Sequence, residues 1–218
     1  VSGDPGSGLG AAMGLDGGAY NFSEILVVDN IAERNAGGIY VTNATATISD
    51  SWFYRNVAGR NTSGIVTYSN GSGGGLFNDI ATTTIYRTLF YNNRANLFGG
   101  GLTNVGTITL EDTMFDASQG SFGAALANII GSDTGGNQRI GNMTIRAGAQ
   151  NRSVVRGTDV INYSGGPLAS ITTFGPLNMS GTAVTANDQL VDGGNGIWGV
   201  MITSDATGTI TLQNNCIV

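Results

Sequence analysis

Short stretches of this chain alternate apolar and polar residues with a period of two, and glycine and asparagine separate them. In Thr45-Ala46-Thr47-Ile48-Ser49-Asp50-Ser51-Trp52-Phe53, the residues Ala46, Ile48 and Phe53 are expected inside, and Thr45, Thr47 and Ser49 outside. Aligned on their phenylalanines, Thr82-Thr83-Thr84-Ile85-Tyr86 and Thr107-Ile108-Thr109-Leu110-Glu111 repeat this strand, with Glu24-Ile25-Leu26-Val27-Val28 as the expected first rung. Residues 208–213 then repeat residues 106–111 almost letter for letter. No long helical period occurs anywhere.

Two markers accompany the strands. One is a small-residue corner followed by an apolar residue and asparagine: Gly18-Ala19-Tyr20-Asn21, Gly75-Leu76-Phe77-Asn78, Gly101-Leu102-Thr103-Asn104 and Ala125-Leu126-Ala127-Asn128. The other is an aromatic with polar residues after it: Phe53-Tyr54-Arg55-Asn56, Phe90-Tyr91-Asn92-Asn93 and Phe115-Asp116-Ala117-Ser118. From Gly38 to Gly75 to Gly101 the intervals are 37 and 26 residues, and from Phe53 to Phe90 to Phe115 they are 37 and 25. Markers that lengthen and shorten together belong to one repeating unit with insertions.

The expected fold is all-β: a single right-handed parallel β-helix with coils of about 20–26 residues, each giving two or three strands. Equivalent positions would stack, placing Ile48, Ile85 and Leu110 in one internal column and Asn21, Asn78, Asn104 and Asn128 in an amide ladder. A β-sandwich with glycine-rich hairpins is the alternative, but hairpins do not predict markers in step. Residues 1–218 read as one domain, regular over 17–128 and irregular over 129–218. Residues 59–74 read as an extra coil or a loop, 142–146 and 196–199 as degenerate rungs, and Pro167 and Pro176 as turns.

Charged residues make up only 11 % of the chain, Gly accounts for 36 of 218 residues, and 40 % are hydrophobic, which argues for a folded domain. The net charge of −6, with nine Arg and no Lys, argues against nucleic-acid binding. No apolar run is long enough to span a membrane, so no membrane insertion is expected, and the first residues lack a signal peptide pattern. The single cysteine, Cys216, has no partner within the chain and is expected as a small buried residue.

The glycine-glycine-apolar and Phe-x-x-Asn pairing resembles the repeats of polymorphic outer-membrane proteins and related bacterial surface β-helix proteins, over roughly residues 17–128. Phe53/Asn56 and Phe90/Asn93 match the second motif, Ser118 replaces its asparagine after Phe115, and Tyr20 stands where the first motif prefers an aliphatic residue. The membrane barrel that ends such autotransporters is absent from this sequence. The resemblance implies a β-helix at the cell surface.

Many β-helices process acidic polysaccharides, but the residues for that chemistry are sparse. With no His and no Lys, arginine is the only base available to a lyase-like site. Glu111 and Asp112 are adjacent on a strand and would point to opposite faces, while Asp29, Asp50, Arg87 and Asp112 are expected as one surface charge ladder. No cofactor is expected. A structural calcium could use Asp188 and Asp192, although the glycine- and aspartate-rich nonapeptides of calcium β-rolls are missing. Residues 71–75 are not a phosphate loop, because no Lys follows. The outward pairs Thr45/Thr47, Thr82/Thr84 and Thr107/Thr109 would form a grid of roughly 6.7 by 4.8 Å, which raises ice binding as a lesser reading. Asn61 and Asn70 are the expected glycosylation positions among eight Asn-x-Ser/Thr sites.

Neither end shows a polar cap, so the chain is expected either to be cut from a longer solenoid or to stack head to tail. The expected role is an extracellular or cell-surface structural or adhesive solenoid without catalysis. Its partners would be copies of itself through the coil ends, or surface glycans and receptors. The alternative is a carbohydrate-active β-helix, either a lyase or a glycan-binding module, with Tyr54, Tyr86 and Tyr91 as the candidate contact aromatics.

Overall fold

The computed structural model describes residues 10–60, 71–132, 136–150, 153–156, 159–160, 169–185, 188–189, 198–202 and 209–217. Among them the chain is all β, with no helix. Four parallel sheets account for all but two of the strands. The first sheet stacks Met13–Asp16, Ile39–Thr42, Leu76–Asp79, Leu102–Asn104, Leu126–Asn128, Ala169–Thr173 and Trp198–Ile202. The second stacks Ala19–Ser23, Thr45–Ser49, Thr82–Tyr86, Thr107–Glu111, Asn142–Arg146, Leu177–Ser180 and Ile210–Gln213.

The third sheet begins with Leu26–Val28, Trp52–Tyr54, Leu89–Tyr91 and Met114–Asp116 and continues to Cys216–Ile217; the fourth begins with Ile31–Ala32, Val57–Ala58 and Arg94–Ala95. Consecutive strands enter the first, second, third and fourth sheets in turn and return to the first, a passage called a circuit below. An antiparallel hairpin, Ile130–Ser132 with Gln138–Ile140, is inserted between the first and second sheets of one circuit.

Each full circuit therefore holds four strands, not two or three. The extra corners are turned by residues in the left-handed region that are not glycine and so leave no signal in the sequence. Asp50 (φ 50°), Arg87 (φ 49°) and Asp112 (φ 47°) separate the second sheet from the third, while Arg55, Asn92 and Ala117 separate the third from the fourth. The stretch from Thr45 to Phe53 is thus two strands broken at Asp50. The expected first rung is corrected in the same way: Leu26–Val28 lies beside Trp52–Tyr54 in the third sheet, and Ala19–Ser23 is the strand beside Thr45–Ser49.

Ile48, Ile85 and Leu110 are in register and fully buried. Beside them Phe53, Phe90 and Phe115 stack with ring centroids 4.4 and 4.7 Å apart. These rings explain why the two markers keep step. A Cβ on Gly75 would lie 2.8 Å from Cδ1 of Phe90, and one on Gly101 would lie 2.6 Å from Cδ1 of Phe115. Each ring fills the space a side chain at the double-glycine corner would need. In the next circuit the corner is Ala124-Ala125, and the third-sheet residue in register with Phe115 is the smaller Val155. Gly59 and Gly71, at the ends of the insertion, sit against each other, a Cβ on Gly71 lying 2.3 Å from the Gly59 Cα.

Candidate functional site

The inward polar residues form ladders. Asn78 Nδ2 donates to Asn104 Oδ1 at 2.7 Å, Asn104 Nδ2 to Asn128 Oδ1 at 2.8 Å, and Asn128 Nδ2 to Thr173 Oγ1 at 3.0 Å, all of them buried. Asn21 is not part of this ladder. It is exposed on the second sheet beside Thr47, because Gly17 and Gly18 (φ 64° and 74°) turn the corner between the first and second sheets rather than the one before the first. A second ladder goes beyond the expected one: Asn30 Nδ2 donates to Asn56 Oδ1 at 2.8 Å, and Asn56 Nδ2 to Asn93 Oδ1 at 3.0 Å. Its signal was the asparagine of the Phe-x-x-Asn motif. Asn56, Asn78, Asn93, Asn104 and Asn128 are fully buried and satisfy the interior, whereas Asn30 is only part-buried.

The outward face of the second sheet carries two in-register columns, Thr45-Thr82-Thr107 and Thr47-Thr84-Thr109. The latter runs on to Thr144 and Asn178, and is preceded by Asn21. The neighbouring column is bulkier, with Tyr86, Glu111 and Arg146. A hollow of about 320 Å³ lies between Thr82 and Thr107 on one side and Arg139 and Ile140 of the hairpin on the other.

The expected charge row is split between two corners. Arg87 Nε and Nη2 donate to the two carboxylate oxygens of Asp50 at 2.7 and 2.6 Å. Asp29 instead pairs with Arg55 at the corner between the third and fourth sheets, its Oδ1 accepting from Nε at 2.7 Å, and Glu24 holds the corner position below Asp50. The bond to Arg87 holds the Asp50 carboxyl below its ordinary range. Glu111 pairs with Arg146, and Asp116 with Arg156. Asp112 is buried and accepts N–H bonds from Gly148 at 2.8 Å and Gln150 at 2.9 Å. Glu111 and Asp112 do not face apart as expected: Asp112 turns the corner (φ 47°), and Glu111 Oε1 and Asp112 Oδ2 lie 2.5 and 2.6 Å from one point, the place of a Cβ on Gly148. Asp29, Asp50 and Asp116 each bind an arginine of a neighbouring circuit.

Asp188 lies on the fourth sheet, whereas Asp192, Asn61 and Asn70 lie outside the described residues. No group of three His, Cys, Asp or Glu residues able to hold a metal occurs among the described residues.

The third sheet presents a different surface. Leu26, Trp52, Leu89 and Met114 form one outward column, with Leu26 63 % and Trp52 61 % exposed. In the next column Tyr54 and Tyr91 stack at 5.3 Å, and the Arg55 guanidinium covers Tyr54 at 4.5 Å. Tyr86 does not join them; it is on the second sheet beneath the Arg87 guanidinium. A cavity of about 200 Å³ lies over Leu89 and Met114, bounded by Trp52, Arg87, Asp112 and Gln150. This column was missed in the sequence, although Trp52, Leu89 and Met114 each directly precede a marker phenylalanine and so must face outward by the period of two. No protein family, curated protein or solved structure matches the chain.

Proposed function

We propose that the chain is one right-handed parallel β-helix serving as a non-catalytic structural or adhesive solenoid outside the cell or on its surface. The hand follows from the strong right-handed preference of parallel crossovers. The observation that carries the role is the use made of charge: Asp29, Asp50, Glu111 and Asp116 each bind an arginine one strand away. Such pairs join neighbouring circuits and leave long faces of uncharged polar residues. The repeat resemblance to polymorphic outer-membrane proteins supports the surface location, and copies of the chain meeting through the ends of the stack are the assembly this role would use. Labelling of the full-length protein in intact cells with a membrane-impermeant reagent tests the location. Strong labelling is expected; protection until the cells are lysed overturns it.

A second reading, glycan binding, is favoured by the exposed Trp52 column and the Tyr54–Tyr91 stack. Release of unsaturated products from acidic polysaccharides would instead establish a lyase.

A further inference from the structure

We infer that the cavity over Leu89 and Met114 is a binding subsite for a neutral sugar ring of a surface or matrix polysaccharide, a proposal that rests on the glycan-binding reading. Three features of the cavity converge on that class of ligand.

The first is an aromatic wall. Trp52 is 61 % exposed on a rigid sheet, and Leu89 and Met114 stand in register beyond it, one and two strands away. Strand spacing puts the ends of this apolar floor roughly 10 Å apart, a span that accepts one ring lying flat. A pyranose presents an apolar face of C–H groups to such a floor and a rim of hydroxyls to its edges, as concave sites with a few placed polar groups require.

The second is a preorganised polar edge. The loop carrying Gln150 is tied down by both oxygens of Asp112, through the N–H groups of Gly148 and Gln150. A Cβ on Gly148 would lie 2.5 Å from Glu111 Oε1 and 2.6 Å from Asp112 Oδ2, so the loop packs against these carboxylates only because that residue is glycine. The Gln150 backbone is therefore already held at the rim of the cavity before a ligand binds.

The third is charge. Arg87 at the cavity edge is bound to Asp50 through two N–H bonds, and the Asp112 carboxylate is engaged by the loop. The one arginine lining the cavity is thus already bound by a carboxylate, which leaves no cation to recruit a uronate and selects a neutral ring.

Titration of the full chain with cellohexaose, mannohexaose and a neutral galactan hexaose, followed by tryptophan fluorescence and calorimetry, tests the proposal. Oligogalacturonate serves as the charged comparator. At least one neutral oligosaccharide is expected to perturb the Trp52 emission. Trp52→Ala should weaken its binding tenfold or more and Gln150→Ala several-fold, with unchanged melting curves because both side chains lie at the surface. Met114→Glu, which charges the floor from an outward position, should also abolish binding and serves if Trp52→Ala fails to fold. Binding that survives Trp52→Ala or Met114→Glu overturns this site while leaving glycan binding elsewhere intact. Binding of oligogalacturonate alone overturns the neutral class. Absence of binding to every oligosaccharide overturns both the site and the glycan-binding reading, and leaves the scaffold role to the labelling experiment.

Discussion

A methyl group at Gly101 has no free space: Cδ1 of Phe115 is 2.6 Å from where it would stand, and the carbonyl oxygen of Ala125 is 2.8 Å away. Gly101→Ala is expected to destabilise the protein by about 1–3 kcal/mol, the range for overpacking a dense core. Combining it with Phe115→Val copies the Ala125 and Val155 pairing of the following circuit. Denaturation of both single variants and the double variant should show a favourable coupling of about 1 kcal/mol. Recovery will be partial because the Ala125 carbonyl remains. Strict additivity would mean that the ring is not what requires the glycine. Ser118 presents the opposite case, since its buried Oγ has no hydrogen-bond partner where the second ladder should continue. In that ladder Asn56 Nδ2 donates to the Val27 carbonyl and Asn93 Nδ2 to the Phe53 carbonyl. By the same step an asparagine at 118 would reach the carbonyl of Phe90. Ser118→Asn is expected to add about 1 kcal/mol and raise Tm by about 2–4 °C in calorimetry.

Among the elements, the corners and ladders hold neighbouring strands in register. Asn104→Ala takes the donor from the buried Asn128 Oδ1, and one acceptor from Asn78 Nδ2, which keeps the Ala81 and Thr107 carbonyls. A loss of about 1–3 kcal/mol in urea unfolding is expected, chiefly because the buried Asn128 oxygen loses its donor, and a buried polar group without a partner costs more than a hydrogen bond contributes. The exposed Asp50–Arg87 corner should behave differently. Its carboxyl is held below the ordinary range by Arg87, so its contribution is present above the unfolded pKa and fades as the pH falls through the lower folded value. Asp50→Asn should therefore leave Tm at pH 7 nearly unchanged and slightly flatten its fall toward pH 3, as expected of a solvent-screened pair. How much of this was legible follows from the same residues. Alternation placed Ile48, Ile85 and Leu110 in one column because the period of two survives any insertion between strands. The four-strand circuit was hidden because Asp50, Arg87 and Arg55 turn corners that sequence reading expects of glycine. Asn21 falls on a different sheet from the other three asparagines, since a glycine pair looks the same in the sequence whichever corner it turns. The Trp52 cavity was hidden for another reason: the loop that closes it enters 38 residues after Asp112, a separation fixed by an insertion and not by the repeat.

At the scale of the whole molecule, each circuit touches its neighbours above and below, so stability should behave as a chain of adjoining interfaces. The phenylalanine column tests this, because its members differ in what lies on either side. Phe90 is stacked on both faces, by Phe53 and by Phe115, whereas Phe115 has a ring on one side and Val155 on the other. Val27, in the first described strand of the third sheet, is in register with Phe53 and is a smaller side chain to begin with. Cavity formation costs about 3–5 kcal/mol for a buried phenylalanine cut to alanine, and each lost ring stack adds about 0.5–1.5 kcal/mol. The expected order of destabilisation is therefore Phe90→Ala, then Phe115→Ala, then Val27→Ala. Hydrogen exchange should show where the loss goes: in Phe90→Ala, protection should fall first in Trp52–Tyr54, Leu89–Tyr91 and Met114–Asp116 and persist in Leu177–Ser180. A uniform fall across all circuits would instead identify one cooperative unit, in which a stack of adjoining interfaces is the wrong description of how this chain holds together.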